Sequence, residues 1–299
     1  FIGGGGFLDY WVESSQTGTT LDISEEVLDE IKTPIIIGSV GSFPHKPVPN
    51  ENFEKFERFL QYVKSRKDMH ILLRNDGSKH HLTQVFGKKL IAGLPEILDH
   101  AFFYDPPQQT ISITDNQYVL INTTLDQLSM QSSTNNITVD EYHKEMRVFL
   151  HYILDQTKYD IVFVPHIYKD LSAIMEFLSG VNDFYLRSRI KIAAYCQGNT
   201  GANYIFNLYK HSEVNIGMRF HANVCSMILN NKTIGVAALK RVKSLHEILN
   251  SNNFIYMKEN FSNPLIAIFI SKEHTSNSYQ DSLKLKMNNT INMYKKILS

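Results

Sequence analysis

Two cysteines in 299 residues, Cys196 and Cys225, with no CxxC pairing, exclude a disulfide framework and a cysteine-rich zinc site. Each reads as a small core residue in a reducing compartment rather than as a nucleophile. Neither sign of charge is in excess: Lys plus Arg and Asp plus Glu are 30 each, so no global basic field points to nucleic acid. The longest apolar runs fall well short of the roughly 20 residues that span a bilayer. A charged leader and a small-residue cleavage site are missing too, since Phe1-Ile2 runs straight into Gly3-Gly4-Gly5-Gly6. The cytoplasm is therefore the expected compartment. No internal repeat and no low-complexity stretch is visible. What remains is the composition of a globular protein, 43% apolar and 20% charged, long enough for two domains.

Strand-like and helix-like segments alternate in an α/β manner, which favours parallel sheets. The run 34–44 reads as a strand entering a glycine-containing loop. Residues 50–66 form an amphipathic helix with Phe53, Phe56, Leu60 and Val63 on one stripe. A strand follows over 70–78, ending in a polar loop, then a short helix over 86–94. Residues 101–107 read as a strand end and a turn at Asp105-Pro106, and 108–117 as a linker. A new unit starts with YVLINTT at 118. Thr138, with Glu141 three residues on, predicts a capping box opening the helix 138–156, whose buried stripe is Tyr142, Met146, Phe149, Leu150 and Ile153. A strand and loop are expected over 160–170, strands over 189–195, 214–218 and 233–239, and helices over 171–180 and 200–211. Leu283, Met287, Ile291 and Tyr294 give the tail helical spacing. The expected organisation is a first unit over 1–110, a second over 118–275, and a terminal helix over 276–299 docked on a domain surface. A glycine loop of this kind ordinarily follows a strand, so more of the first unit is expected ahead of Phe1.

Gly3 to Gly6 supply a backbone able to adopt positive φ and approach a ligand closely, with Gly5 and Gly6 as the cleft candidates. The loop is not GxGxxG and carries no P-loop Lys-Ser/Thr, so a nucleotide fingerprint is not supported; a tight turn is the plainer reading. Arg74 ends the strand ILLR, and Asn75, Asp76 and Ser78 share the loop beyond it. Either Arg74 faces a ligand at the sheet edge or it is a surface arginine paired with Asp76. His166 and Asp170 follow the FVP strand end four residues apart; no third ligand stands beside them, so a metal site is not expected, and a supporting or acceptor-binding role is preferred. Arg219 and His221 stand where a strand feeds a helix, the edge of an open α/β sheet where ligands bind. An arginine there can hold a phosphate or carboxylate, and a histidine can move a proton near neutral pH. A helix-start arginine beside a partly buried histidine is the plainer alternative.

Taken in order, the glycine loop at 3–6, the strand ending in Arg74 with Ser78 nearby, the Asp105-Pro106 turn, the PH…D segment at 165–170 and Gly217-Met218-Arg219-Phe220-His221-Ala222 before TIGVAAL resemble the polysaccharide pyruvyl transferase family. The last element, similar to a G-x-R-x-H-A signature, is the most specific, and the resemblance runs from residue 1 to about 250. It implies two Rossmann-like domains facing across a cleft, as in GT-B glycosyltransferases. It also implies transfer of the pyruvyl skeleton from phosphoenolpyruvate to a saccharide as a cyclic ketal, in cell-surface polysaccharide biosynthesis. By that resemblance His221 is the general acid, Arg219 and Arg74 hold the donor, and Gly5, Gly6, Asn75, Ser78, His166 and Asp170 line the site. A first βα segment with an Asn-x-Gly-Asp stretch belongs ahead of the glycine loop. A lysine belongs soon after the last apolar strand, where both Lys240 and Lys243 stand.

The resemblance implies phosphoenolpyruvate as co-substrate, with no metal and no further cofactor. The acceptor is a saccharide, free or linked to a lipid or nucleotide, which would bring the enzyme to the inner face of the membrane without spanning it. Two other functions suit the same architecture. One is a glycosyltransferase using a nucleotide sugar; against it, the loop Cys196-Gln197-Gly198-Asn199 after RIKIAAY has no ribose-binding carboxylate. The other is a non-catalytic saccharide-binding protein, against which the Arg219/His221 pair speaks.

Overall fold

Apolar runs without alternation suit strands covered on both faces, and most strands here are of that kind. The computed structural model describes residues 1–299 apart from 45, 109–111, 132–136 and 272–275. The chain divides into two units, the first made of 1–100 and 283–299, the second of 101–282.

The first unit is a four-stranded parallel sheet of β1 (Ile2–Gly3), β2 (Ile35–Val40), β3 (Met69–Arg74) and β4 (Glu96–Ile97), in that spatial order. Its helices are α1 (Glu25–Glu30), α2 (Asn50–Ser65), α3 (Ser78–Phe86) and α4 (Lys88–Ile91). Leu8, Leu28, Ile37, Phe56, Leu60, Ile71 and Leu82 lie in one buried cluster. The inward stripe of α2 is Phe56, Phe59, Leu60 and Val63. Phe53 is exposed instead, its ring edge-on to Tyr10 and tilted against Phe86. The sequence reading omits α3 because SKHHLTQVF has few strong helix formers and no side-chain cap; Gly77, at φ 88°, turns the chain into it. Residues 100–103 form a 3-10 turn rather than a strand end. The first unit stops before the predicted boundary at 110 because Tyr104 packs its ring on Phe206 and bonds to Asn203, committing the chain to the second unit.

The second unit holds six parallel strands: β5 (Tyr118–Asn122), β6 (Asp160–Phe163), β7 (Ile190–Ile192), β8 (Val214–Gly217), β9 (Lys232–Ala237) and β10 (Phe254–Tyr256). Their spatial order, β10-β9-β8-β5-β6-β7, is that of a Rossmann sheet, with the switch point between β5 and β8. The helices are α5 (Asp126–Gln131), α6 (Val139–Gln156), α7 (Tyr168–Leu178), α8 (Asp183–Ser188), α9 (Gly198–Lys210), α10 (Phe220–Ile228), α11 (Lys240–Ile248) and α12 (Ser262–Ile270), followed by α13 (Ser276–Leu298), only the start of which belongs to this unit. The predicted capping box opens α6: the Glu141 N–H donates to Thr138 Oγ1 at 3.2 Å, and the Thr138 N–H donates to Glu141 Oε2 at 2.7 Å. All five residues of its predicted stripe are buried.

Helix α13 belongs to the second unit up to Ser282 and to the first from Leu283 onward. There Met293, Tyr294 and Ile297 cover Ile36, Leu72 and Ile97 of the first sheet. Ile291 points outward, so the packed stripe runs through Leu283, Thr290 and Tyr294 instead. Among the described residues no helix is long and apolar enough to cross a membrane.

Candidate active site

The carboxyl ends of β5, β6 and β8 gather the polar groups of the second unit. Asn122, the last residue of β5, accepts the Arg219 N–H at 3.0 Å through Oδ1 and donates to the Val164 carbonyl at 3.1 Å. Arg219 is thereby fixed at the N-cap of α10, with the extended backbone a cap requires. Its Nε donates to both Asp170 oxygens at 3.0 and 2.9 Å. Its Nη2 reaches Asp170 Oδ1 at 2.5 Å, Thr124 Oγ1 at 2.8 Å and Asp126 Oδ2 at 3.0 Å. Nη1 takes part in none of these bonds. Burial would lower the Arg219 pKa, and the Asp170 and Asp126 carboxylates more than offset it. Burial likewise pushes Asp126 up, but Thr124 and Arg219 leave it below the ordinary carboxylate value.

Asp170 has a second task. Its Oδ2 accepts the N–H groups of His166 and Ile167 at 2.9 and 3.2 Å, capping α7 at the end of β6. The His166 ring meets Tyr209 Oη at 2.9 Å through Nε2. Burial pushes His166 down to about 4, Asp170 opposes the shift, and His221 and Arg219 add to it. His166 is thus a neutral imidazole near neutral pH. Burial, followed by Cys225 and Asp170, raises Tyr209 well above 10, so its phenol keeps its proton. His221, on the first turn of α10, is exposed, while Phe220 beside it is buried. Three predicted residues therefore converge with His221, but Arg219 comes already engaged with two carboxylates.

Beneath this turn lies Asn223, fully buried on α10, with His246 of α11 against it: Nε2 stands 3.0 Å from Asn223 Oδ1 and Nδ1 3.1 Å from Ser251 Oγ. Burial pushes His246 down to about 3. The unfolded chain, with histidine near 6.5, takes up the proton first as pH falls. This contribution to stability is complete above about pH 6.5 and is lost toward pH 3, by up to about 1.4 kcal/mol per pH unit. Urea unfolding at pH 7 and pH 5 should show that loss, and His246→Gln should remove this part of the slope. Equal slopes in the two proteins would show that the imidazole protonates without penalty.

In the first unit, Arg74 is no surface residue. Its side chain is 3% exposed and lies between Asp76, at 2.9 Å from Nε and 2.7 Å from Nη2, and Asp99, at 3.3 Å from Nη1. Burial lowers its pKa, and the two carboxylates raise it to above the ordinary value. Asp76 Oδ1 accepts the N–H and hydroxyl of Ser78, and Ser78 Oγ accepts the Ser42 N–H at 2.7 Å. Asn75 accepts the Asp99 N–H at 2.8 Å through Oδ1, while its buried Nδ2 has no hydrogen-bond partner among the described residues. In the glycine loop Gly4 and Gly5 take φ of 77° and 94°, which bends it onto the loop after β2. There the Gly5 carbonyl accepts the Gly41 N–H at 2.8 Å, and the Gly6 carbonyl accepts the Asp9 N–H and the Thr20 hydroxyl. Arg74, Asn75 and Ser78 are thus part of a buried brace tying together the ends of β2, β3 and β4. Arg74 has the Asp76 partner of the plainer reading, but buried rather than at the surface.

Sequence reasoning missed Asn122, Thr124, Asp126, Tyr209, Asn223 and His246. Asn122-Thr123-Thr124 offered a signal, three polar residues ending an apolar strand. Asp126 and Asn223 stand two residues beyond Thr124 and His221 with no pattern to single them out, and Tyr209 and His246 lie in other helices, where nothing local marks them. Lys243 pairs with Glu247 at 3.3 Å, and Lys240 is exposed at the start of α11.

Two Rossmann-like domains, with polar groups gathered at a switch point, define an α/β fold of the GT-B type. Solved structures show the same likeness. A glycosyltransferase from Rickettsia africae ESF-5 aligns with a TM-score of 0.52 at 12% identity, over 91% of this chain and 73% of that one. A UDP-forming α,α-trehalose-phosphate synthase from Burkholderia vietnamiensis aligns with a TM-score of 0.53 at 9% identity, over 92% and 72%. At such identities the likeness is one of fold. No curated protein matches the chain. The model of the polysaccharide pyruvyl transferase family matches residues 1–238, and the chain belongs to that family.

Proposed function

We propose that the protein transfers the pyruvyl group of phosphoenolpyruvate to two hydroxyls of a saccharide, forming a cyclic ketal and releasing phosphate. The observation that carries this reading is an exposed His221 on the first turn of α10, next to Arg219 at the sheet switch point, in a chain of this family. His221, in its cationic form, gives a proton to C3 of phosphoenolpyruvate, which makes C2 electrophilic. One sugar hydroxyl adds to C2 and loses its proton, and the C2–O bond to phosphate breaks. The second hydroxyl closes the ring. Of the two hydroxyl protons, one restores His221 and the other leaves with phosphate. Phosphoenolpyruvate is the co-substrate, and the bond changes call for no redox group.

Arg219 contributes through the guanidinium edge that Asp170 and Asp126 leave unused. Those carboxylates hold its fork rigidly but reduce its net attraction for an anion, so His221 shares the donor's charge in our reading. Arg74 braces its own sheet edge rather than touching the donor. The acceptor is a saccharide, free or carried on a lipid or nucleotide, at the inner face of the membrane.

The test is phosphate release from phosphoenolpyruvate across hexoses, N-acetylhexosamines and a 2-keto sugar acid, free and carrier-linked, with NMR of the product for the ketal carbon. Phosphate release together with a ketal signal is the expected result. Thermal stabilisation by a nucleotide sugar, with no use of phosphoenolpyruvate, would make the protein a glycosyltransferase. Glycan binding without phosphate release would make it a saccharide-binding protein.

A further inference from the structure

Gly217 on β8 and Gly235 on β9 are registered partners in the sheet, and each is glycine for want of space. A Cβ on Gly217 would stand 2.8 Å from Asn223 Nδ2, and one on Gly235 would stand 2.6 Å from His246 Nε2. The paired glycines admit two polar side chains that are both fully buried. Burying an amide and an imidazole is unfavourable unless each is satisfied, and here each is.

Asn223 Nδ2 donates to the Gly217 carbonyl at 3.0 Å and to the Arg219 carbonyl at 2.9 Å, which settles which way the amide points. Its Oδ1 must then accept from His246 Nε2–H at 3.0 Å. Nδ1, left without a proton, accepts the Ser251 hydroxyl at 3.1 Å. Ser251 Oγ in turn accepts the Asn253 N–H at 3.3 Å. Hydrogen bonds of one direction thus run from the end of α11 to the turn that carries Arg219 and His221. That turn is clamped twice, its N–H side by Asn122 and its carbonyl side by Asn223.

We infer that Asn223 and His246 are positioning residues for His221: the relay Ser251–His246–Asn223 sets the backbone of the Gly217–Arg219 turn and with it the direction of the His221 imidazole. Arg219 is less dependent on the relay, because Asp170, Asp126 and Thr124 hold its side chain directly. As a contribution to catalysis this rests on the proposed pyruvyl transfer; as a statement about His221 geometry it does not.

The experiment compares wild type, His246→Leu, His246→Gln and Asn223→Ala. Glutamine can place an N–H near the position of Nε2, and leucine cannot. With phosphoenolpyruvate and the acceptor found active, His246→Leu and Asn223→Ala should lose about 100-fold in kcat with KM for the donor nearly unchanged. His246→Gln should recover most of kcat. In parallel, NMR of proteins labelled at histidine reads the His221 imidazole resonance, identified by its loss in His221→Asn. The resonance should move in His246→Leu and return in His246→Gln. If it stays in place in both folded variants, or if kcat does, the relay does not position His221. Parallel losses of kcat and melting temperature in the leucine and glutamine variants alike would also overturn the inference. Should wild type turn over no phosphoenolpyruvate while the resonance behaves as expected, the proposed reaction fails and the relay stands. Asn223→Ala removes both carbonyl bonds at once; if it does not fold, the His246 pair decides.

Discussion

Replacing His221 with alanine is expected to lower phosphate release from phosphoenolpyruvate by about 10²–10⁴-fold, the usual size of a general acid contribution. The melting temperature should stay close to that of wild type, because the side chain is exposed and leaves no cavity. A single-turnover assay with saturating donor and acceptor separates the effect on chemistry from one on binding. His221→Asn, which keeps a polar side chain but cannot act as an acid, should be as inactive as the alanine variant. If either variant turns over within a few-fold of wild type, His221 does not supply the proton. His166 is the obvious stand-in, yet burial keeps it neutral and Tyr209 occupies its Nε2. It is poorly suited to take over.

The second large effect concerns stability. Arg74→Met should cost about 3–5 kcal/mol, because it strips the cation from Asp76 and Asp99 while both carboxylates stay buried. Methionine fills the volume but cannot hydrogen-bond, so the loss reports unpaired charge rather than a void. Arg74→Lys should recover only part of it, since one ammonium cannot reproduce the Nε and Nη2 fork on Asp76 together with Nη1 on Asp99. Urea unfolding measures both variants. A loss under about 1 kcal/mol for Arg74→Met would mean that the buried brace is not formed in solution. The same variants separate bracing from donor binding. An Arg74→Lys protein of wild-type stability with a strongly raised donor KM would return Arg74 to the donor-holding part that the family resemblance implies.

The two arginines show how far sequence reaches. Both stand at the carboxyl end of an apolar run, and ILLR and NIGMR read alike. In the structure they differ in exposure and in partners: Asp76 is two residues from Arg74, whereas Asp99, Asp126 and Asp170 come from other strand ends. A carboxylate two residues away can be guessed from spacing. One brought in by a separate βα crossover cannot, because its approach is fixed by strand order and register.

By itself the sequence determined what is local. The capping box at Thr138 and Glu141, the buried strands, the Rossmann-like alternation and the strand-to-helix turn at Arg219-Phe220-His221 follow from side-chain period and cap chemistry within a few residues. Only the tertiary structure decided which groups meet. It placed β5 between β6 and β8, so that Asn122 could hold the Arg219 N–H and Asp170 its guanidinium. It also paired Gly217 with Gly235, opening the space that Asn223 and His246 fill beneath His221's turn. The physical reason is the same throughout. Cap and period energies depend on neighbours in the chain, while a buried polar network depends on which strands lie side by side.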